Sequence, residues 1–484
     1  MSSPLLPIVG NSSSQSESEP LKSGSFVGNV ALVSLGCAKN TVDSEVMLGS
    51  LVQKGFKPVS EPENAEVVVV NTCAFLESAV QEGIDTILGL AELKKTARLR
   101  SLIVAGCMVE RYGAELQKSL PEVDRFISTD ELRKISELSP TTEESLDKAR
   151  RPYFLYDESM PRVISGSPHS AYLKISEGCD RPCSFCIIPK IRGSFRSRQV
   201  SSVVSEAKEL LASGTKELNL IAQDLTAFGS DYNKGKPLLK DLLRGLGELS
   251  DSSSFWTRLF YAYPIGVDEE LMQLIQDSPV VCNYLDMPIQ HASNNVIKAM
   301  RRPLGGKKTQ ELIRNMRSWA PKVSLRTTLI VGFPGETDDD IKELEGFIAE
   351  GHFDHLGVFS YSQESEADSF HLPNQVSEEE KEERKLRVLE AQKVVAEKRL
   401  DSFVGQSLKV LIDGTHEDTD LLMTSRAEFQ GPEVDGTVIL NSFSEDLLNE
   451  EGYLDHSELR GKFAEVSIES TSGFDLVGRL ERLV

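Results

Sequence analysis

The chain has 484 residues, of which 39% are hydrophobic and 26% charged, a composition that suits a globular protein of two to four units at roughly 150 residues each. It contains no apolar run of the roughly 18 residues that a helix needs to cross a membrane. The formal net charge of -22 is the wrong sign for a protein that binds by wrapping phosphates, and it leaves either simple solubility or a basic macromolecular partner as its meaning.

Residues 1–27 are rich in Ser, Pro and Gly, carry Glu17 and Glu19, and lack both Arg and an apolar core. They are expected to be a disordered leader rather than a signal or transit peptide. Residues 28–138 alternate β-branched runs, expected as strands at 30–35, 66–71 and 102–106, with helical stretches at 41–54 and 75–94. That alternation predicts an open parallel α/β domain. Residues 139–164, with their Ser, Thr, Glu and Pro, are expected to be a linker.

A second α/β array follows in 165–403, with strands expected at 172–175, 217–222, 258–262, 284–289, 323–331 and 355–361. Six βα units predict a partial (βα)6 barrel rather than the closed eightfold form. The segment ends in a charged helix over 378–403, where Leu386, Leu389, Ala391 and Val394 suggest a buried stripe. Residues 404–484 turn to short strands expected at 408–412, 436–440, 464–468 and 476–480, the pattern of a small all-β, OB-like barrel. From 406 onward there are 6 Lys and Arg against 17 Asp and Glu, so half of the chain's charge excess lies in this last unit.

Six of the seven cysteines fall into two sets of three. This favours two metal sites in a reducing cytoplasm over a disulfide framework. Cys179, Cys183 and Cys186 follow the first expected barrel strand, on the face where such folds carry active sites. Three thiolates hold three irons of a four-iron cluster and leave the fourth iron open to an outside ligand. The amino and carboxylate groups of S-adenosylmethionine suit that position, and electron transfer into its sulfonium would release a 5′-deoxyadenosyl radical. A structural zinc knuckle is the alternative, but it needs a fourth ligand that is not close in sequence. The Cys-x3-Cys-x2-Cys spacing, with Phe185 before the last Cys, is similar to the signature of the radical S-adenosylmethionine superfamily.

Cys37, Cys73 and Cys107 each follow an expected strand, and in an open parallel sheet such strand ends converge on one crevice. They are candidates for a second cluster with its own open iron, against the alternative of buried free thiols. Cys282 has no partner in motif spacing and is expected in the core. Arg192, Arg196 and Arg198 could pair with a carboxylate or form a solvated surface group. Glu177, Gln223, Asp224, Gln290, His291 and Arg326 lie near expected strand ends, where cofactor or substrate contact and local hydrogen bonding are equally open. Gly332 to Gly335 could admit a nucleoside to the backbone or simply form a turn.

With both trios in view, the chain resembles the methylthiotransferases over nearly everything from Gly28 to Val484. That family joins a three-cysteine domain, a radical S-adenosylmethionine domain and a C-terminal TRAM domain. The resemblance implies sulfur insertion at an unactivated C–H bond followed by methylation, with two [4Fe-4S] clusters and S-adenosyl-L-methionine. Cys37, Cys73 and Cys107 would hold the first cluster, and Cys179, Cys183 and Cys186 the second, which binds S-adenosylmethionine.

The stretch from Ser34 to Glu45, with Cys37-Ala-Lys-Asn40, looks like the RimO branch, which modifies an aspartate of ribosomal small-subunit protein S twelve. The MiaB branch, which modifies tRNA adenosine, typically has Cys-Gln-Met-Asn there. Further RimO-like stretches lie at 174–179, 187–193, 284–293 and 326–337, while 223–229 and 361–367 depart slightly from the usual wording. Residues 430–436 resemble the TRAM core motif, which could also be a plain turn. An acidic last unit would repel RNA phosphates and attract a basic ribosomal protein, so tRNA is disfavoured as a partner. A sulfur donor, an electron donor and a cytoplasmic location are also implied. The rival of another class is a non-catalytic iron–sulfur carrier, and no catalytic residue beyond the cluster ligands is assigned.

Overall fold

The computed structural model describes residues 27–137, 146–147, 154–251, 254–447 and 456–484. The expected leader, but for its last residue, and much of the expected linker lie outside them. Among the described residues no helix is long and apolar enough to cross a membrane.

The first unit is a five-stranded parallel sheet of β1 (Gly28–Ser34), β2 (Phe56–Pro58), β3 (Val67–Thr72), β4 (Ser101–Gly106) and β5 (Arg125–Ile127) in the order β2-β1-β3-β4-β5. Its inner strands are uninterrupted apolar runs because helices cover both faces. The three-residue edge strands β2 and β5 go beyond the expectation, being too short to show a period of two. The chain direction of the order reverses between β1 and β3, and the crevice at such a switch point is where open α/β sheets bind ligands.

Helix α1 (Ala38–Gln53) buries 11 of its 16 residues, including Lys39, Asn40, Asp43 and Glu45. It can do so because it lies between its own sheet and the first barrel strand. Asp43 pairs with Lys174, and Glu45 pairs with Arg162 at 2.6 Å.

At the end of β4, Gly106 has φ +95°, and a Cβ there would meet Asn71 Oδ1 at 2.2 Å and the Thr72 carbonyl at 2.8 Å. Gly106→Ala is expected to cost at least about 1–3 kcal/mol. An unchanged urea midpoint for the variant would contradict this.

The central unit is an open six-stranded parallel sheet of β6 (Ser170–Lys174), β9 (Glu217–Ile221), β10 (Trp256–Leu259), β11 (Val281–Asp286), β12 (Ser324–Val331) and β13 (His355–Ser360), in that spatial order. A two-residue antiparallel ladder, β7 (Ser176–Glu177) with β8 (Arg196–Ser197), sits beside it. The outer face of the sheet packs Leu218, Leu220, Leu259, Leu285 and Leu329 against the surrounding helices. Its inner face, with Ile221, Trp256, Phe260 and Tyr284, is continuous with apolar groups of the first unit and of the last.

The helix Glu378–Asp401 corrects the expected stripe. Leu386, Leu389 and Val394 are exposed (58%, 37% and 63%), and only Ala391 packs against the core. The buried face is Lys381, Arg384, Val388, Gln392, Ala396 and Leu400. Polar residues can occupy it because Arg384 pairs with buried Glu336 at 2.8 Å and Lys381 lays its stem on Gly332. An apolar-only pattern search cannot see such a face.

The last unit is a closed barrel, β14 (Ser407–His416), β15 (Thr419–Ala427), β16 (Val438–Phe443), β18 (Asp475–Leu483) and β17 (Phe463–Ser472). β15 was not anticipated: its first half is exposed, with Leu421 81% accessible, so it lacks an alternating apolar signal.

This barrel docks beneath the central sheet. Glu217, fully buried, accepts from Arg258 at 3.0 Å and from Arg426 at 2.8 Å, and Arg426 also holds Asp413. The turn at 430–436 reaches the inner face of the sheet, where Asp435 accepts from Tyr284 Oη at 2.8 Å and from Arg326 Nε at 3.2 Å.

Candidate active site

The three cysteines of the first set stand at consecutive strand ends. Cys37 caps α1 after β1, Cys73 follows β3, and Cys107 opens the helix Cys107–Ser119 after β4. They are close enough to influence one another's ionisation. Gly36, at φ +97°, makes this approach feasible, because a Cβ there would sit 2.7 Å from Cys73 Cβ.

Asn40 ties the set together. Its Nδ2 donates to the carbonyls of Leu35 at 2.8 Å and Thr72 at 3.1 Å, and its Oδ1 accepts from the Cys107 thiol at 3.7 Å and from Arg192.

The second set lies on the loop after β7. Gly178, at φ +79°, lets that loop run against Ser194, whose carbonyl would be 2.2 Å from an added Cβ. Cys179 N–H donates to the Gly193 carbonyl at 3.2 Å, and Ser184 anchors the loop to Ala299 and Met300. Arg302 Nη1 approaches Cys183 Sγ at 3.9 Å. The Tyr263 ring beside Cys183 is flanked by Arg181 and Arg302, each 4.4 Å from its centroid.

Each set runs from a buried thiol to a more open one. Cys107 and Cys179 are buried, Cys73, Cys183 and Cys186 are half-buried, and Cys37 is exposed. Burial pushes the thiols of Cys107 and Cys186 up to about 12, that of Cys179 to about 11, and that of Cys73 upward as well. Without metal these thiols are protonated at neutral pH, so a metal bound through them would displace protons.

The donor chemistry fits clusters rather than closed zinc sites. Each set supplies three sulfurs, one short of the four ligands that a closed structural zinc site needs. In a cluster each thiolate takes a separate iron.

An ionic network fills the seam between the two sets. Arg192, 4% exposed, donates to Asp43 at 2.7 Å and to Glu177 at 3.2 Å, while Glu177 also accepts from Lys174 at 2.7 Å and from Gln223 at 2.5 Å. Burial opposes the charge on Glu177, but Lys174 and Arg192 hold its carboxyl far below the usual range. The arginine cluster is therefore not a surface group. Arg192 pairs here, Arg198 pairs with Glu206, and Arg196 pairs with Asp130 at 3.1 Å.

The remaining expected positions divide in two. Asp224 caps a turn and pairs with Arg181 at 2.7 Å, and Arg326 is used by Asp286 and Asp435, so these are held by internal pairs. His291 Nδ1 accepts from the Ser293 N–H at 2.9 Å. Gln223 Oε1 and Gln290 Oε1, both beyond strand carboxyl ends, are buried without a hydrogen-bond partner among the described residues. Such acceptors suit a polar cofactor on that face. Gly332 is covered by Lys381, whereas the site of a Cβ on Gly335 is open. Cys282 is a core residue, 1% exposed.

Lys39, Asn40 and Asp43 lie in the motif stretch from Ser34 to Glu45 but were given no role of their own, and Tyr263 and Arg302 were not expected at the site. For the first three the local signal is a polar start of α1 that becomes buried; Tyr263 and Arg302 have none. A separate cavity of about 860 Å³, lined by Trp256, Asn283, His355 and Phe403, opens at the amino ends of the strands and holds no cysteine.

Comparison with known proteins covers all three units. Residues 29–128 match an uncharacterized protein family, UPF0004, residues 173–348 match the Radical SAM superfamily, and residues 404–480 match the TRAM domain. The ribosomal protein uS12 methylthiotransferase RimO of Geotalea uraniireducens is 44% identical over 461 residues, covering 95% of this chain and 99% of that protein. The protein of the same description from Clostridioides difficile is 42% identical, covering 93% and 98%. Among solved structures, the radical S-adenosylmethionine methyltransferase TsrM from Kitasatospora setae, with tryptophan and a cofactor analogue bound, aligns at TM-score 0.49 and 14% identity over 68% of this chain and 72% of that one.

Proposed function

This chain belongs to the family of ribosomal protein uS12 methylthiotransferases called RimO, and on that premise we propose that it attaches a methylthio group to the β-carbon of an aspartate in uS12. The carrying observation is that two sets of three thiols, one at the switch point of the first sheet and one at the carboxyl face of the barrel, meet across a single seam. In this reading Cys179, Cys183 and Cys186 hold the [4Fe-4S] cluster that binds S-adenosylmethionine, and Cys37, Cys73 and Cys107 hold the other.

When bound, these groups supply the radical that opens an unactivated C–H bond and the sulfur that replaces the hydrogen. The chain itself supplies position and dryness. Gln223 and Gln290 offer acceptors to the polar groups of S-adenosylmethionine. Asn40 and Arg192 hold the first set against the barrel, and the packed inner face around Ile221, Phe260 and Tyr284 keeps water from below. The acidic C-terminal barrel favours a basic protein partner over RNA. A sulfur donor and an electron donor complete the partners, in the cytoplasm.

The test is anaerobic reconstitution with iron, sulfide, S-adenosylmethionine and reductant, followed by mass spectrometry of uS12 and of tRNA offered together. A methylthio mass on one uS12 aspartate is expected. The same mass on tRNA, with uS12 unchanged, would overturn the substrate assignment. Absence of 5′-deoxyadenosine would reduce the protein to a carrier.

A further inference from the structure

Among the described residues, Lys39 occupies the seam with no carboxylate of its own. It is 6% exposed, and its ammonium lies over the Tyr261 ring, 3.0 Å from the centroid. The ionisable groups around it are the Cys37 thiol, Asp286, Glu177 and Arg192, and both carboxylates are committed elsewhere. Asp286 accepts from Arg326 at 3.0 Å and from the Tyr261 N–H at 3.1 Å, while Glu177 serves Lys174, Arg192 and Gln223.

Among the described residues Lys39 Nζ has no hydrogen-bond or ion-pair acceptor. Lys174, equally buried, has two carboxylates. A buried ammonium without an acceptor is an unfavourable arrangement, and a ring face compensates for it only in part.

The backbone beneath Lys39 is also unusual. Tyr261 has φ +66°, a left-handed conformation that is rare for an aromatic residue and that persists where surrounding structure enforces it. Here the Tyr261 amide is fixed by Asp286, which presents the ring to the ammonium.

The location is specific. Lys39 is two residues beyond Cys37, Tyr261 is two residues beyond the end of β10, and Glu177, in the field of Lys39, is two residues before Cys179. The ammonium therefore stands where the start of α1, just after Cys37, meets the carboxyl end of β10.

We propose that Lys39 Nζ, seated over the Tyr261 ring, receives the carboxylate of the substrate aspartate. This deepens the uS12 reading and rests on it. An aspartate carboxylate is bonded directly to the β-carbon, so gripping the carboxylate places the C–H bonds of that carbon at the seam. An ammonium with three donors can bind a carboxylate while still facing the ring, and the charge-assisted bond discriminates against the neutral amide of asparagine.

The experiment compares binding of uS12, and of uS12 with Asn at the modified position, to reconstituted wild-type protein, Lys39→Met and Lys39→Arg. Wild type is expected to prefer the Asp form by about tenfold or more, Lys39→Met to bind both forms alike, and Lys39→Arg to keep part of the preference. In wild type alone, the Asp form should also protect Lys39 from reductive methylation, read by mass spectrometry, and the Asn form should not. This reading does not depend on any variant folding.

A Lys39→Met protein that keeps the Asp preference, with an altered electron paramagnetic resonance signal from the first cluster, would make Lys39 a cluster counterion and overturn the proposal. Equal labelling of Lys39 with and without the Asp form would do the same. Wild-type protein that binds neither form overturns the uS12 reading together with this one.

Discussion

Replacing Cys179, Cys183 or Cys186 with Ser is expected to lower 5′-deoxyadenosine formation by more than about 100-fold, the loss that removal of a mere supporting group around a metal ligand can reach. Each of these thiols lies on a loop pinned at both ends, by the Gly178 to Ser194 approach and by Ser184 on Ala299 and Met300. A neighbouring side chain therefore cannot swing in to replace a lost thiolate. Ser at Cys37, Cys73 or Cys107 should act differently, because these residues lie on another domain. Cleavage of S-adenosylmethionine should persist while the methylthio product disappears. Iron counting on each variant separates the two sets: each replacement should lower iron at its own site and leave the other loaded. Equal loss of cleavage from both groups of variants would contradict a division of labour between them.

Glu217→Met is expected to destabilise the docking of the C-terminal barrel by about 3–5 kcal/mol, the range for removing one partner of a buried ion pair. The carboxylate of Glu217 is shared by Arg258 and Arg426, which are 0% and 4% exposed, so its loss leaves two buried guanidiniums facing each other. The triple replacement Glu217→Met, Arg258→Met, Arg426→Met should recover part of that loss, because it removes both unpaired guanidiniums, while Asp413 gives up Arg426 and keeps His169. Urea unfolding followed by the fluorescence of Trp256, which packs on Phe463 of the C-terminal barrel at 4.9 Å, measures both. If the triple variant is no more stable than Glu217→Met, the cost does not come from unpaired charge.

The same cluster sets an acid limit. Burial disfavours the charge on Glu217, but Arg426 and Arg258 hold its carboxyl far below the ordinary 4.5. A depressed carboxylate contributes stability above its unfolded value and loses it as pH falls. Docking should therefore weaken below about pH 4.3, and Glu217→Met should lack that dependence.

The course of the chain was readable because local pattern carries it. Apolar runs such as those of β1, β3 and β4 are long, and they are punctuated by glycines whose left-handed φ only glycine adopts freely, so strand ends and the cysteines just beyond them could be placed. β2, β5 and β15 were missed where strands are three residues long or half exposed. The stripe on the helix Glu378–Asp401 was misplaced because Arg384 and Lys381 are buried by partners 20 or more residues away in the sequence, among them Glu336 and Tyr361.

By itself the sequence determined the two cysteine sets, the parallel and barrel architectures, the acidic last unit and the family resemblance, since all of these rest on spacing, period and composition within short windows. Only the tertiary structure decided what the charges do. Arg192 joins Asp43 across 149 residues, Arg426 joins Glu217 across 209, and Lys39 lies over a ring with no carboxylate partner among the described residues. Charge neutralisation in a dry seam depends on which groups meet after folding, and neither residue of such a pair carries a local sign of the other.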